Sequence, residues 1–190
     1  MSDTFVMSAR QSAELDHAFE RNGYTPADVK LLSQGDKLAK ILPFLKGLAK
    51  IEIVRHIIDL DANPFLPKDW KGVAEHRKGG QFEWSPEKVL LYLSENQQNG
   101  KYIVGNELRK ELANKPVLNA NVLDYLLAHP ELIPEEWKGK AVFFWGTIYR
   151  RSDDHLVVRC LDWDGERWHW SYNWLDRSFH GRNPAASLAS

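Results

Sequence analysis

The sequence predicts an α+β protein: an antiparallel meander sheet packed against helices, with a small helical region at the N-terminus. Three observations carry this. Residues 141–175, AVFFWGTIYRRSDDHLVVRCLDWDGERWHWSYNWL, read as three strands, about 141–150, 156–163 and 166–174, joined by two turns. Asp164-Gly165, set between two apolar-rich runs, is a strong hairpin signal. Elsewhere capping residues precede apolar stripes at helical spacing, as at Thr25-Pro26-Ala27-Asp28 and at Asn119.

Taken in order, Ala9 to Arg21 places Leu15, Ala18 and Phe19 on one side of a short helix that Asn22-Gly23 stops. Thr25 caps a second helix with Pro26 at its first position, running to about Ser33. Asp36 caps a third, holding Leu38, Ile41 and Leu42, which Pro43 is expected to kink or restart. Residues 51–60, IEIVRHIIDL, are rich in β-branched side chains and are the candidate fourth strand, lying beyond 141–150. The chain therefore divides into a helical N-terminal region, 1–62, ending in that strand, and an α+β domain, 63–190.

Within the second region, 63–80 reads as loop, Phe82 and Trp84 as a brief strand, and Ser85-Pro86 as the start of a helix to about Asn96. Helices at about 106–114 and 119–128 follow, and both are expected to cover the aromatic face of the sheet. The tail 181–190, small and polar, is expected to fray. One near-repeat stands out. NPFLPKDWKG at 63–72 and HPELIPEEWKG at 129–139 each put Pro ahead of an acidic residue and Trp-Lys-Gly, which fits two short helical turns docking Trp70 and Trp137.

A two-residue Asp164-Gly165 turn sets Trp163 opposite Glu166, Cys160 opposite His169 and Arg159 opposite Trp170. Because side chains alternate, one face collects Val157, Arg159, Leu161, Trp163, Trp168, Trp170, Tyr172 and Trp174. The other face carries Leu156, Val158, Cys160, Asp162, Arg167, His169, Ser171 and Asn173 and is expected to be wet. Four large aromatics on one face amount to roughly 800 Å² of apolar surface, more than a monomer normally leaves bare. In the strand 141–150, Val142, Phe144 and Ile148 fall on one side and Phe143, Trp145 and Tyr149 on the other. Both sides are apolar, as in a central strand.

Three kinds of chemistry can be weighed. Cys160 beside His169, with Asp162 on the same face to orient the imidazole, has the composition of a thiol nucleophile with its base. It lies mid-strand, with no glycine run nearby to hold an oxyanion. Arg159 among Trp163, Trp168 and Trp170 has the composition of a binding surface, for a protein or for stacked single-stranded bases. Two helix pairs, 25–33 with 37–47 and 106–114 with 119–128, have helix-turn-helix order. The would-be reading helix NANVLDYLLAH carries no Lys or Arg, and Pro43 interrupts the other.

No metal is expected: the seven histidines never recur at ligand spacing and there is no CxxC. Asp59, Asp61 and Asn63 echo the start of a calcium loop without its glycine or distal glutamate. Gly79-Gly80, after His76-Arg77-Lys78, offers a phosphate contact at most, since neither GxxxxGK[ST] nor GxGxxG occurs, and no cofactor is expected. A composition of 43% hydrophobic and 27% charged residues is that of a globular protein. The net charge of −1 argues against a general nucleic-acid binder and against attraction to anionic membranes. A single cysteine excludes an intrachain disulfide and fits a reducing cytoplasm. Neither a leader nor a spanning apolar run is visible.

The run GNELRKELANKPVLNANVLDYLLAHPELIPEEWKGKAVFFWGTIYR at 105–150, with KGGQFEWSPEKVLLYLSENQQNGK at 78–101 and the closing NPAASLAS, resembles a widespread group of uncharacterised bacterial proteins. The resemblance covers most of the chain and implies a bacterial origin, with no activity, ligand or catalytic residue to carry over. The expectation is a soluble, non-enzymatic module that binds another protein through the aromatic sheet face. A nucleic-acid binder and a Cys160/His169 thiol enzyme are the alternatives.

Overall fold

The structure is a computed structural model that describes residues 6–50 and 54–189. The chain falls into two units, Met1–Val54 and Arg55–Ser190. In the first, Ser8 and Gln11 form a reciprocal capping box at the start of α1 (Ala9–Arg21), and the Asn22 side-chain amide donates to the Ala18 carbonyl at its end. Thr25 and Asp28 cap α2 (Pro26–Leu32) in the same way, with Pro26 in the first turn. Asp36 stands at the start of α3 (Lys37–Leu45) without donating or accepting a side-chain cap. Pro43 lies inside α3, which continues through it. The missing N–H forfeits one backbone bond, to the Ala39 carbonyl, and the helix continues to its end, where the Lys46 N–H donates to the Leu42 carbonyl at 3.0 Å.

The second unit is α+β. A six-stranded sheet is built from β4 (Val89–Tyr92), β10 (Ala185–Leu188), β6 (Val142–Arg151), β7 (Leu156–Trp163) and β8 (Trp168–Trp174), in that order, with β2 (Trp70–His76) also paired to β6. The pairings are antiparallel except β10 with β6, so the sheet is mixed. Two short ribbons, β1 (Ile57–Asp59) with β3 (Gln81–Glu83) and β5 (Tyr102–Val104) with β9 (Ser178–His180), lie apart from it.

Several expectations are corrected here. The strand expected at 51–60 is only Ile57–Asp59; it pairs with β3 and not with β6, and residues 51–53 lie outside the described residues. Ile57–Asp59 therefore belongs to the second unit, and the division falls after Val54 rather than at 62. The neighbours of β6 are instead β2, from a stretch expected to be loop, and β10, from the tail expected to fray. The small residues of that tail have a packing reason. Ala185 and Ala186 are fully buried on a strand between β4 and β6, Ala186 in the core cluster under α5 and Ala185 in the one under α4. Residues 86–96 form two short 3₁₀ turns around β4 rather than a helix.

In β6 the register shifts between the pairs Phe143 with Cys160 and Ile148 with Val158, so five residue steps on β6 oppose two on β7. This bulge moves Ile148 onto the side of Phe143 and Trp145 rather than that of Val142 and Phe144. Gly146 sits within it. A Cβ there would lie 2.8 Å from Asn119 Cα, and the Gly146 N–H donates to the Leu118 carbonyl at 2.9 Å.

The helices α4 (Gly105–Glu111) and α5 (Ala120–Ala128) lie where expected along the chain, but on opposite faces of the sheet. α5 packs Val122, Leu123 and Leu126 against Val142, Phe144, Leu161, Trp168 and Trp170, the aromatic face. Leu108 and Leu112 pack instead on Phe143, Trp145, Val158 and Cys160. The face expected to be wet is thus covered over β6 and β7.

Candidate functional site

The hairpin forms at Asp164-Gly165, with its centre moved one residue along. Asp164 Oδ1 accepts from the N–H groups of Glu166 and Arg167 at 2.9 and 2.8 Å, which makes Asp164 the first residue of the turn. Gly165 and Glu166 are then its centre, and Gly165 takes the left-handed φ of +106°. Every pair accordingly shifts by two: Trp163 faces Trp168, Leu161 faces Trp170, Arg159 faces Tyr172 and Cys160 faces Ser171. A shift of two preserves parity, so Trp168, Trp170, Tyr172 and Trp174 still share one face.

The shift dissolves the thiol pair. His169 lies opposite Asp162, not Cys160. The Cys160 side chain is 2% exposed beneath α4, and burial first, then the Asp162 carboxylate, push its thiol up to about 12. A thiol so placed holds no thiolate at neutral pH and cannot be reached by a substrate.

Arg159 is fully buried. Its Nη1 and Nη2 donate to the two carboxylate oxygens of Asp124, on α5, at 3.0 and 2.6 Å. Burial alone lowers its pKa, but the hydrogen bond and charge of Asp124 outweigh that and raise it. The guanidinium lies 4.6 Å from the Trp170 ring centre and 5.3 Å from that of Phe65. Arg159 is therefore a clamp between α5 and β7, unavailable to a partner, although the expected stacking on Trp170 is made diagonally.

Around this clamp the aromatics form a continuous edge-to-face array. Trp70 meets Tyr149, Trp170 and Tyr172 at 5.1, 6.0 and 5.3 Å, and Tyr172 meets Trp174 at 5.0 Å. Arg151 covers Tyr172 and Trp174 from 5.2 and 5.4 Å and donates to the Tyr172 hydroxyl at 2.8 Å. At the hairpin end Trp163 meets Trp168 at 5.3 Å, and Lys138 Nζ sits 4.1 Å over the Trp163 ring. Trp163, Trp168, Trp170, Tyr172 and Trp174 are each half-buried: α5 covers part of the row and leaves the rest at the surface. Phe65 is exposed beside it.

The backbone adds a second property. β8 ends the sheet order, with β7 on one side and no strand on the other among the described residues. Asp164 N–H donates to the Arg167 carbonyl and Leu175 N–H to the Leu156 carbonyl. Antiparallel pairs alternate between bonded and non-bonded, so His169, Ser171 and Asn173 direct their N–H and C=O groups toward β7. Trp168, Trp170, Tyr172 and Trp174 direct theirs outward. Trp174 is satisfied locally by Asn173 Oδ1 and the Arg177 N–H. Trp168, Trp170 and Tyr172 thus join half-exposed aromatic rings to an open strand edge, with no Lys or Pro in the strand to guard it.

Other candidates are occupied from within. Asp61 Oδ1 accepts from Gly79 and Gly80 N–H at 2.8 and 3.0 Å, filling the loop weighed for phosphate with the chain's own carboxylate. Those two bonds, Gly80 first, hold the Asp61 pKa below the usual carboxylate range. No cluster able to hold a metal exists among the described residues. In the cleft lined by Glu75, Arg77, Asn106 and Arg109, Arg109 is paired with Glu75, and Arg77 Nη1 donates to the Leu112 and Lys115 carbonyls. α5, the would-be reading helix of the second helix pair, has only Ala128 exposed and packs its Val122, Leu123 and Leu126 side on the sheet. The near-repeat is a shared local turn: Trp70 N–H donates to the Pro67 carbonyl at 3.2 Å and Trp137 N–H to that of Pro134 at 3.0 Å.

Asp124, Trp70, Tyr149, Phe65 and Arg151 belong to this array and were not assigned to a site from sequence. Asp124 alone left a signal, as the one acid in the apolar stripe VLDYLL. Compared with family models, curated proteins and solved structures, the chain matches none.

Proposed function

We propose that this chain is a non-enzymatic protein-binding module that engages its partner at β8. The observation that carries the reading is the coincidence, at Trp168, Trp170 and Tyr172, of outward-facing backbone groups with half-exposed aromatic rings. Main-chain hydrogen bonds to an added strand supply affinity in this mode, and alternate side chains on one face supply specificity. Tryptophans of this kind are the residues that dominate protein interfaces. The single buried thiol accords with a bacterial cytoplasm as the place of action, and it gives no support to a thiol enzyme.

The test is native mass spectrometry of the protein as it co-purifies from its host, followed by affinity measurements on the captured complex. The expected partner is a protein, with Trp170→Ala or Trp168→Ala weakening the complex by at least about 2 kcal/mol. Tyr172→Pro should weaken it more than Tyr172→Ala, because only the proline removes an outward N–H while sparing the β7–β8 ladder. Affinity should respond little to salt. A steep log–log decline with salt concentration points to neutralised phosphates and refutes the reading in favour of nucleic acid.

A further inference from the structure

The near-zero charge of the whole chain hides a local imbalance. Lys37 to Lys50, KLAKILPFLKGLAK, carries four lysines and no acidic residue. α3 occupies the first nine positions of this stretch, and none of its residues is buried. Leu38, Leu42 and Leu45 are 57%, 45% and 77% exposed, and Leu48, just beyond the helix, is 78% exposed. At about 100° per residue the three helical leucines fall within roughly 60° of one another. Lys37 lies on one flank of that stripe and Lys46 on the other, while Lys40 lies on the side opposite the leucines, with Phe44 between Lys37 and Lys40.

We infer that α3 docks on an anionic lipid surface, lying in the interface with its leucines in the acyl boundary and its lysines among the headgroups. Charge complementarity selects this occupant. Lysines border the apolar stripe on both sides, so that their stems extend it while their ammonium groups reach the headgroup layer. No carboxylate in the stretch opposes a negative surface. Size argues against a protein in the same place. A nine-residue helix is about 14 Å long and presents far less than the roughly 800 Å² per partner of a stable protein interface, whereas a bilayer needs no matching counterpart. No helix of the described residues is long and apolar enough to cross a membrane, so the association is peripheral. The inference is independent of the role proposed for β8.

The experiment is flotation of the full-length protein with phosphatidylcholine vesicles, with and without phosphatidylserine. Binding is expected only with phosphatidylserine, and should fall as salt rises. Lys37→Gln and Lys40→Gln should each weaken partitioning about fivefold, the equivalent of about 1 kcal/mol per basic residue. Leu42→Ser with Leu45→Ser should abolish it. The lysine variants keep the helix former character of the segment, so their effect stands even where the leucine variant loses helix by circular dichroism. Equal recovery with both vesicle types, indifference to the lysine variants, or a failure to float would overturn the proposal. So would a concentration-dependent dimer in light scattering that the leucine variant dissolves without any vesicle binding, since that assigns the stripe to a second copy of the chain.

Discussion

Removing Asp124 should destabilise the second unit more than removing Arg159, although the two side chains form one ion pair. Arg159 is 1% exposed at its side chain and Asp124 is 29% exposed. Asp124→Leu strands a cation that water cannot reach. Breaking a buried pair in this way costs about 3–5 kcal/mol, and the partial exposure of Asp124 places the value near the lower end, about 3 kcal/mol. Arg159→Met leaves a carboxylate that can turn to solvent while the methionine keeps contact with Trp170 and Phe65, so the loss should be about 1–2 kcal/mol. The double variant restores an uncharged, filled contact and should lie within about 1 kcal/mol of the parent. All eight tryptophans fall between residues 70 and 174, so urea unfolding followed by tryptophan fluorescence reports on this unit alone. Equal losses for the two single variants, or a double variant as damaged as their sum, refute the clamp.

Three further outcomes follow from the same packing. Leu126→Ala, at a fully buried position of α5 against the sheet, should cost about 2–5 kcal/mol in the same unfolding assay, and a loss under about 0.5 kcal/mol would mean that α5 does not seal this face. Cys160 should resist iodoacetamide at neutral pH in the native protein and react once urea unfolds it; rapid native labelling would contradict its burial and raised pKa. The depressed pKa of Asp61 means that the unfolded state takes up its proton first as pH falls. Its contribution to stability is therefore full above the ordinary carboxylate range, about pH 4, and is lost as pH drops through the lower folded value. Asp61→Asn should flatten this acid limb of the stability profile, and an unchanged limb refutes the Gly79-Gly80 clamp.

Elements encoded by neighbours in sequence were legible. The caps at Thr25 and Asn119 place two helices within a residue or two, because a capping side chain satisfies N–H groups only two or three positions away. The Asp164-Gly165 hairpin was legible for the same reason, and strand alternation then placed four aromatics on one face even though the register moved by two. The α+β class follows from these local signals together.

Tertiary structure decided what depends on partners distant in sequence. Trp70–His76 and Ala185–Leu188 have no strand pattern of their own and become strands because β6 offers two successive lengths of edge to pair with. The bulge around Gly146 depends on the approach of Asn119, and it sent Ile148 to the opposite layer. Arg159 illustrates the limit for the site. Alternation put it among the tryptophans, but only an acid 35 residues earlier, carried over it by α5, turned it from a surface contact into a buried clamp. Local sequence determines which face a side chain occupies. Whether that face is open or covered is decided by elements elsewhere in the chain, through burial that no local pattern records.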